Sequence, residues 1–364
     1  MASKAGSLVR RLPPLPTLGD ILRMYGIKAK KSLSQNFIMD PRILKKFADT
    51  AGDLNKKYVI EVGPGPGGIT RALLEAGAYQ VHVIEKDARF LPSLHLLQEA
   101  SGEGKLHISI GDCLHYNPEG IFPSSVSKDW ESPEPPNLVF VGNLPFNVAT
   151  PLLIQLLASM PSRTNLYSYG RVPAVLTFQH EVAVRMAAPH GDPERSRLSV
   201  ITQNYAEIDY VYNLPGGAFV PPPEVQVGIV RLTPLREPYI SGLPFSFINK
   251  IVTAIFCGKQ KQIKNSIANN LFPYRIREEM SLKLLKMAGV HTDQRAIDLS
   301  MAEIGNICYA YKNICDEKAQ SSKENPLERY EGETLSQQLI EDEAKRVVNN
   351  STSQSSMTKF DIRL

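Results

Sequence analysis

Short apolar runs alternate with amphipathic stretches over much of the chain. Five runs rich in Val, Ile and Leu predict buried strands: Tyr58–Val62, Val81–Ile84, Leu106–Ile110, Leu138–Val141 and Ala174–Phe178. Helical spacing predicts helices between them: Ile69–Ala76, Phe90–Ala100, and Pro151–Met160 with Pro in its first turn. Strands that alternate with helices predict βαβ units and a parallel sheet.

The pattern changes after the fifth strand. Ile208–Tyr212 and Val225–Leu232 predict two more strands with no clear helix between them, joined by a rigid loop, Gly216–Pro223. We expect these two strands to form an antiparallel pair that closes the sheet. Strand signals then stop, and a small all-α domain is predicted with helices at Phe247–Phe256, Glu278–Ala288 and Met301–Cys315.

The composition fits a globular protein of two domains. The chain has 364 residues, of which 43% are hydrophobic, enough for a sizeable core. No apolar run reaches the roughly 20 residues that span a bilayer. The cysteines lie far apart without CxxC spacing: Cys113, Cys257, Cys308 and Cys315. We therefore expect no metal site, no disulfide framework and a reducing compartment.

Charge is distributed unevenly between the two ends. Residues 1–46 carry ten Lys or Arg and two acids, a net +8, whereas residues 316–364 carry seven and ten, a net −3. The basic end indicates a polyanion partner, a targeting segment or both. The first nineteen residues contain no acid, as is typical of a mitochondrial presequence, although Pro13-Pro14 breaks the amphipathic pattern. The acidic end has few apolar residues and predicts disorder.

A glycine-rich segment follows the first predicted strand and opens a helix. Gly63, Gly65 and Gly68 have the G-x-G-x-x-G spacing that lets a nucleotide approach the backbone. Glu85 ends the second strand, where a carboxylate can accept both ribose hydroxyls, and Asp112 ends the third, where it can accept an adenine amine. Each feature alone is weak, but together they predict an adenosine-containing cofactor.

Two cofactors remain open at this point, a dinucleotide of an oxidoreductase and S-adenosylmethionine. The loop Gly63–Gly68 is stiffened by proline and suits an amino-acid moiety better than a pyrophosphate. The fourth strand ends in Asn143-Leu144-Pro145-Phe146, which has no role in hydride transfer. Both features favour S-adenosylmethionine.

The turn Asn143–Phe146 supplies the parts of a base pocket. It follows a strand, so it stands at the carboxyl edge of the sheet, where open α/β sheets bind ligands. An amide, a carbonyl and an aromatic face can hold an exocyclic amine and stack its ring. A base-modifying enzyme needs such a pocket because its target is unreachable inside a base stack. For the tetrapeptide alone, an ordinary strand-to-helix turn is the alternative.

Six motifs occur together in a fixed order: Ser34–Phe37, Glu61–Gly67, Glu85–Asp87, Gly111-Asp112, Asn143–Phe146 and Phe219–Val225. In order and spacing they resemble those of the small-subunit ribosomal RNA adenine N6,N6-dimethyltransferases. The resemblance extends from about Leu18 to Cys315. Arg11–Thr17 and Tyr169–Arg171 are most similar to the mitochondrial branch of that family.

The resemblance implies a fold, a cofactor and a set of site residues. The fold is α/β, a Rossmann-like class I methyltransferase sheet with a small C-terminal all-α domain, and the cofactor is S-adenosylmethionine. The implied cofactor-binding residues are Gln35, Asn36, Ile38, Gly63, Gly65, Glu85, Lys86, Asp112, Cys113 and Asn143. The implied catalytic residues are Asn143, Leu144, Pro145 and Phe146, and those implied to stack on the target base are Phe146 and Phe219.

Two groups of lysines are expected to bind RNA phosphates: Lys28, Lys30 and Lys31, and Lys259, Lys261 and Lys264. The second group departs from the family, because Gly258–Lys261 replaces a run with paired arginines. Lysine binds phosphate as a point charge without a bidentate fork. The resemblance therefore implies general phosphate binding here, and a solvated helix face is the alternative.

The predicted function is N6,N6-dimethylation of two adjacent adenosines in a hairpin loop near the 3′ end of mitochondrial small-subunit rRNA, which supports small-subunit assembly. Adenine N6 is a poor nucleophile, so we expect Asn143 Oδ1 and the Leu144 carbonyl to orient its lone pair without a strong base. The alternative is a nucleic-acid-binding mitochondrial transcription factor that acts without methyl transfer. The intact Asn143–Phe146, Glu85 and Asp112 argue against that alternative.

The expected organisation follows from these assignments. Residues 1–27 form a basic segment and candidate presequence, 28–236 the methyltransferase domain, 237–316 a helical RNA-binding domain and 317–364 a disordered tail. We expect a monomer in the mitochondrial matrix that binds no membrane. Its expected partners are small-subunit rRNA, the assembling mitochondrial small ribosomal subunit and the mitochondrial transcription machinery.

Overall fold

The structure, a computed structural model, describes residues 12–29 and 35–322. The chain divides into two compact units. The first comprises Met1–Leu152, Arg163–His180 and Asp209–Thr233, and the second comprises Leu153–Ser162, Glu181–Ile208 and Pro234–Leu364. The second unit therefore includes segments from the range 28–236 that the sequence assigns to the methyltransferase domain, and that domain division stays a prediction.

The described residues contain a seven-stranded sheet with strand order β4-β3-β2-β5-β6-β9-β7. The strands in chain order are β1 Phe37–Ile38, β2 Tyr58–Val62, β3 Gln80–Glu85, β4 Leu106–Ile110, β5 Leu138–Gly142, β6 Ala174–Gln179, β7 Ala206–Leu214, β8 Phe219–Val220 and β9 Val227–Pro234. Neighbouring strands from β4 to β6 are parallel, and β9 runs antiparallel to β6. The predicted strands are confirmed, and β7 and β9 are hydrogen-bonded neighbours at one end of the sheet.

The helices in chain order are α1 Leu18–Met24, α2 Pro41–Thr50, α3 Gly68–Glu75, α4 Leu91–Ser101, α5 Phe146–Ser162, α6 His180–Ala187, α7 Arg197–Tyr205, α8 Phe245–Phe256, α9 Ile263–Leu271, α10 Arg277–Ala288 and α11 Met301–Ser322. Asp40 shows why α2 starts where it does: its carboxylate accepts the Arg42 N–H at 2.8 Å, and Pro41 takes the first helical position. Within the described residues, no helix is long and apolar enough to cross a membrane.

Two sequence expectations need correction. Pro151 lies inside α5, because that helix already begins at Phe146, where the Pro145 carbonyl accepts the N–H groups of Val148 and Ala149. Helix α11 runs to Ser322, so residues 317–322 are helical and do not belong to a disordered tail. The rest of the predicted tail, residues 323–364, lies outside the described residues.

The predicted N-terminal segment is partly built into the fold. Leu18, Ile21 and Ile27 are buried in the same hydrophobic cluster as residues of β2 and β3. This cluster covers one face of the sheet, so residues 18–27 contribute to the core of the first unit. Residues 1–11, the first part of the predicted presequence, lie outside the described residues.

Candidate functional site

Parallel register brings the ends of four strands to one edge of the sheet. Val62 of β2 pairs with Ile84 of β3 and with Gly142 of β5, and Gly142 pairs with Leu176 of β6. The residues that follow these positions must therefore meet at the carboxyl edge. That edge is where open α/β sheets bind their ligands.

The glycine loop after β2 has a backbone that side chains would disturb. Gly63, Gly65 and Gly67 all adopt positive φ, at 64°, 55° and 88°. A Cβ atom on Gly63 would lie 2.6 Å from the Leu144 side chain, so the loops after β2 and β5 are in direct contact. A Cβ on Gly65 would lie 3.3 Å from the Phe37 ring. The loop therefore presents backbone without side chains. Glycine is required both by the positive φ angles and by the close neighbours of Gly63 and Gly65.

Glu85 closes this loop from the end of β3. Its Oε2 accepts the Gly65 N–H at 2.9 Å, and its Oε1 accepts the Asp87 N–H at 2.7 Å. The side chain is buried, and this burial raises the pKa of the Glu85 carboxyl, while the N–H donors from Asp87 and Gly65 oppose the shift. Glu85 therefore positions the glycine loop as well as offering oxygens to a ligand.

A cavity of about 520 Å³ opens between these loops. That volume lies within the range of about 300–1,000 Å³ found for small-molecule sites. The predicted cofactor, catalytic and stacking residues all line it: Gln35, Asn36, Ile38, Gly63, Gly65, Glu85, Lys86, Asp112, Cys113, Asn143, Leu144, Pro145, Phe146 and Phe219. The bare glycine backbone and the adjoining carboxylates of Glu85 and Asp112 suit the amino-acid, ribose and base parts of an adenosine cofactor.

Asp112 and its neighbours form the end of the cavity after β4. Asp112 Oδ2 accepts the Lys86 ammonium at 2.7 Å, and Oδ1 accepts the Leu114 N–H at 3.0 Å. The pKa of Asp112 is lowered despite burial, because Lys86 and the Leu114 N–H favour the charged form. Burial raises the pKa of Cys113 to about 12, so this side chain is a neutral thiol at pH 7.

Asn143 is held on both sides of its amide. Its Nδ2 donates to the Asn36 carbonyl at 3.2 Å, and its Oδ1 accepts the Thr177 hydroxyl at 2.9 Å. An amide oxygen has two lone pairs, so Oδ1 retains the capacity to accept a second hydrogen. Thr177 is a residue that the sequence did not single out, although a polar residue inside the apolar run of β6 is a signal that sequence reasoning can use.

The two aromatic residues of the predicted base pocket differ in accessibility. Phe146 is partly buried at the start of α5 and packs against the edge of the core. Phe219 lines the cavity but is 2% exposed and is part of the hydrophobic core. Of the two rings, Phe146 is therefore better placed to stack on a flat ligand.

A polar cluster beside the cavity was not found from sequence. Arg89 donates to both Asp87 oxygens, with the shortest contact at 2.6 Å, and to the Lys28 carbonyl at 3.0 Å. Gln35 Nε2 donates to Asp87 Oδ2 at 3.3 Å. The pKa of Asp87 is lowered to about 2 chiefly by Arg89. Arg89 and Asp87 thus tie Lys28 and Gln35 to the loop after β3.

The lysines predicted to bind RNA have different surroundings. Lys259 donates to the Pro193 carbonyl at 2.9 Å, and Lys264 pairs with Asp293 at 3.2 Å. Lys28 and Lys261 are exposed. Lys30 and Lys31 lie outside the described residues. Lys259 and Lys264 therefore have intramolecular contacts that the sequence did not indicate.

Glu61 is a fully buried acid in the middle of the sheet. Its carboxylate oxygens make no hydrogen bond of normal geometry among the described residues. Burial, with a smaller contribution from the Glu85 charge, raises the pKa of Glu61 to about 8, and Thr70 opposes this shift. The acid is therefore mostly neutral at pH 7.

The pH dependence of stability should reveal this group. The folded protein retains a proton that the unfolded chain releases, so stability falls as pH rises between about 4.5 and about 8. The contribution to this loss is at most about 1.4 kcal/mol per pH unit. Glu61→Gln removes the titration, and its stability relative to the unsubstituted protein should rise over this window. Urea unfolding at several pH values measures it, and a pH-independent difference contradicts the assignment.

No metal site is found in the described part of the chain, where no three His, Cys, Asp or Glu side chains are grouped to hold an ion. The donor chemistry around the cavity is instead that of an organic ligand. Carboxylates, amides, bare backbone and aromatic rings surround it, and the cysteine it includes is a thiol.

The sequence of this chain is similar to those of several known proteins. A family model described as ribosomal RNA adenine dimethylase matches residues 26–308. A Xenopus laevis protein named dimethyladenosine transferase 1, mitochondrial, is 41% identical over 339 residues, 93% of this chain and 97% of that protein. Its Homo sapiens namesake is 42% identical over 320 residues, 88% of this chain and 91% of that protein.

Solved structures show a similar fold. A dimethyladenosine transferase from Plasmodium falciparum superposes with a TM-score of 0.59 at 23% identity, covering 75% of this chain and 96% of that one. The 23S rRNA methyltransferase ErmE superposes with a TM-score of 0.51 at 25% identity, covering 75% and 98%. The predicted class I methyltransferase sheet is confirmed by this likeness.

Proposed function

This chain belongs to the ribosomal RNA adenine dimethylase family and is an S-adenosylmethionine-dependent rRNA adenine dimethyltransferase, and on that premise we propose that it modifies mitochondrial small-subunit rRNA. The proposed targets are two adjacent adenosines in a hairpin loop near the 3′ end, and the proposed role is small-subunit assembly in the mitochondrial matrix. The word mitochondrial in the names of relatives that share most of their length with this chain supports this location.

The observation that carries the proposal is the continuity of the cavity from the glycine loop to Asn143–Phe146. When bound, S-adenosylmethionine supplies an electrophilic methyl group. We assign Gly63, Gly65 and Glu85 to hold it, because the loop is bare and Glu85 fixes its shape. Holding both reactants in one cavity converts a bimolecular encounter into an oriented one, which can account for much of the rate.

The target adenine is assigned to the other end of the cavity. Phe146 provides the face on which its ring stacks, a contact worth about 1–3 kcal/mol per base. Asn143 Oδ1 and the Leu144 carbonyl accept the two hydrogens of N6, so that the nitrogen lone pair points toward the methyl group. No side chain acts as a strong base, since the proton of the methylated amine can leave to water.

Depletion of the protein in cells tests the substrate. Mass spectrometry of mitochondrial small-subunit rRNA should show loss of dimethyladenosine, and the catalytically impaired variant Asn143→Ala should fail to restore it. Restoration of mitochondrial function by this variant, without restoration of dimethyladenosine, would instead support the alternative of a nucleic-acid-binding transcription factor. Unchanged dimethyladenosine after depletion would reject this rRNA as the substrate.

The lysine group Lys259, Lys261 and Lys264 is proposed to contact RNA phosphate. Replacing all three by Gln should lower RNA affinity and flatten its salt dependence, by about 0.7–0.9 in the log–log slope for each phosphate that is no longer neutralised. Since Lys259 and Lys264 already have protein partners, we expect Lys261→Gln alone to give much of the effect. A salt titration of RNA binding measures both slopes.

Lys45 offers a matched control for this titration. It is an exposed lysine, paired with Asp49 at 2.7 Å in α2, and Lys45→Gln should leave the slope unchanged. If the triple variant has the same slope as the unsubstituted protein, these lysines are part of a solvated face and RNA is held elsewhere.

A further inference from the structure

Thr177 lies within β6, two residues before that strand ends, where it is buried from solvent but next to the proposed base pocket. Its side chain is 1% exposed, and the neighbouring Leu176 pairs with Gly142, the residue before Asn143. The hydroxyl donates to Asn143 Oδ1 at 2.9 Å. Thr177 does not line the cavity, so any influence on the reaction must pass through Asn143.

Asn36, the other hydrogen-bond partner of Asn143, determines the orientation of the Asn143 amide. The Asn36 carbonyl can only accept, so it requires the Nδ2 side of Asn143, which lies 3.2 Å away. A hydroxyl can donate or accept, and beside Oδ1 it donates. The two hydrogen bonds together fix the plane of the amide, with its oxygen on the side of Thr177.

We propose that Thr177 is a positioning residue for methyl transfer, which orients Asn143 Oδ1 so that its remaining lone pair accepts a hydrogen of the target amine. This inference rests on the role proposed for Asn143. Without the hydroxyl, the hydrogen bond to Asn36 is the anchor that remains among the described residues, and the amide can rotate about it. Oriented acceptors contribute to rate only while their geometry holds.

The second methyl transfer should depend on Thr177 more than the first. Each round replaces one amine hydrogen, released as a proton, by one methyl group, whose bond to the sulfonium sulfur breaks as its bond to N6 forms, so that S-adenosylhomocysteine leaves. The unmodified amine has two hydrogens, which can engage both Asn143 Oδ1 and the Leu144 carbonyl. The monomethyl amine has only one, so fewer hydrogen bonds fix its lone pair, and an acceptor that moves costs more at this step.

Thr177→Val removes the hydroxyl at nearly constant volume. We expect kcat to fall on the order of 10-fold, the equivalent of one hydrogen bond. The KM for RNA and the Kd for S-adenosylmethionine should stay within about 2-fold, because neither ligand touches Thr177. Mass spectrometry of nucleosides from a time course should show a higher ratio of monomethyladenosine to dimethyladenosine for this variant than for the unsubstituted enzyme. Thr177→Ser, which keeps the donor, should restore both the rate and the product ratio.

Thr202→Val controls for the loss of a buried hydroxyl as such. Thr202 is buried in α7, and its hydroxyl donates to the Leu198 carbonyl at 2.7 Å. We expect this variant to lower the melting temperature without changing kcat or the product ratio. Thermal melting of every variant shows which fraction is folded, so that rates are given per folded enzyme.

Three results would overturn the proposal. They are an unchanged kcat and product ratio in Thr177→Val, equal impairment in Thr177→Ser, and a loss confined to cofactor Kd. These outcomes are distinct from failure of the proposed function. Full activity of Asn143→Ala rejects the role of Asn143, whereas an inactive Asn143→Ala beside a fully active Thr177→Val rejects only the role of Thr177.

Discussion

Asn143→Ala is expected to abolish methyl transfer, with kcat reduced by about 100-fold or more, as when an oriented acceptor or donor is removed from a transition state. Asn143 is partly buried at the cavity, and its amide is fixed by Asn36 and Thr177. The amide is therefore already oriented before the target amine binds, so it does not have to reorganise during the reaction. Single-turnover transfer from labelled S-adenosylmethionine to RNA measures the effect.

The same variant should keep its affinity for RNA and cofactor within a few-fold. An interaction made mainly in the transition state appears in turnover and not in ground-state binding. Asn213→Ala is the matched control, because Asn213 is an exposed amide that donates to Gln226 at 2.6 Å, away from the cavity. Near-normal methylation by Asn143→Ala would show that this amide does not orient the base.

The sheet was predictable because its signal is local. Each central parallel strand is buried on both faces, so it appears in sequence as a short continuous apolar run. For β2 and β4 the predicted and observed bounds agree, and β5 differs by one residue. Family, enzyme class and cofactor were predictable from the six motifs in their fixed order, four of which end or closely follow a strand of the sheet.

The elements that the sequence did not reveal depend on tertiary contacts. Strands β1 and β8 have two residues each and pair with one another across a long stretch of chain, as Phe37 with Val220 and Ile38 with Phe219. Two residues have no periodicity to detect. Pro151 misled for a different reason: a proline inside a helix costs one backbone hydrogen bond, and packing of the long α5 outweighs that local cost.

In the candidate site, too, the residues with a local sequence signal were predictable, and those that depend on tertiary contacts were not. Glu85, Asp112 and Asn143 were predictable because each ends or closely follows a strand at one edge of the sheet. Their hydrogen-bond partners were not, since Thr177 and Arg89 have side chains whose direction depends on packing. The partners of Lys259 and Lys264 were hidden likewise, and only charge was visible in the sequence.

Glu85 shows how one side chain can serve both the loop and the ligand. Its two oxygens satisfy the N–H groups of Gly65 and Asp87, and the side chain is buried. A buried N–H without a partner costs about 1–3 kcal/mol. Removing the carboxylate therefore disturbs the glycine loop before any interaction with the cofactor is considered.

Glu85→Ala is accordingly expected to weaken S-adenosylmethionine binding by roughly 1–3 kcal/mol, about 10- to 100-fold in Kd. Glu85→Gln should recover only part of this affinity, because its amide nitrogen would face an N–H donor where an oxygen stands now. Calorimetry with S-adenosylmethionine measures both variants, with NAD as a ligand that should not bind any of them. Unchanged affinity in Glu85→Ala would exclude Glu85 from the cofactor site, and since both N–H groups lose their acceptor in this variant, it would also show that the glycine loop keeps its shape without them.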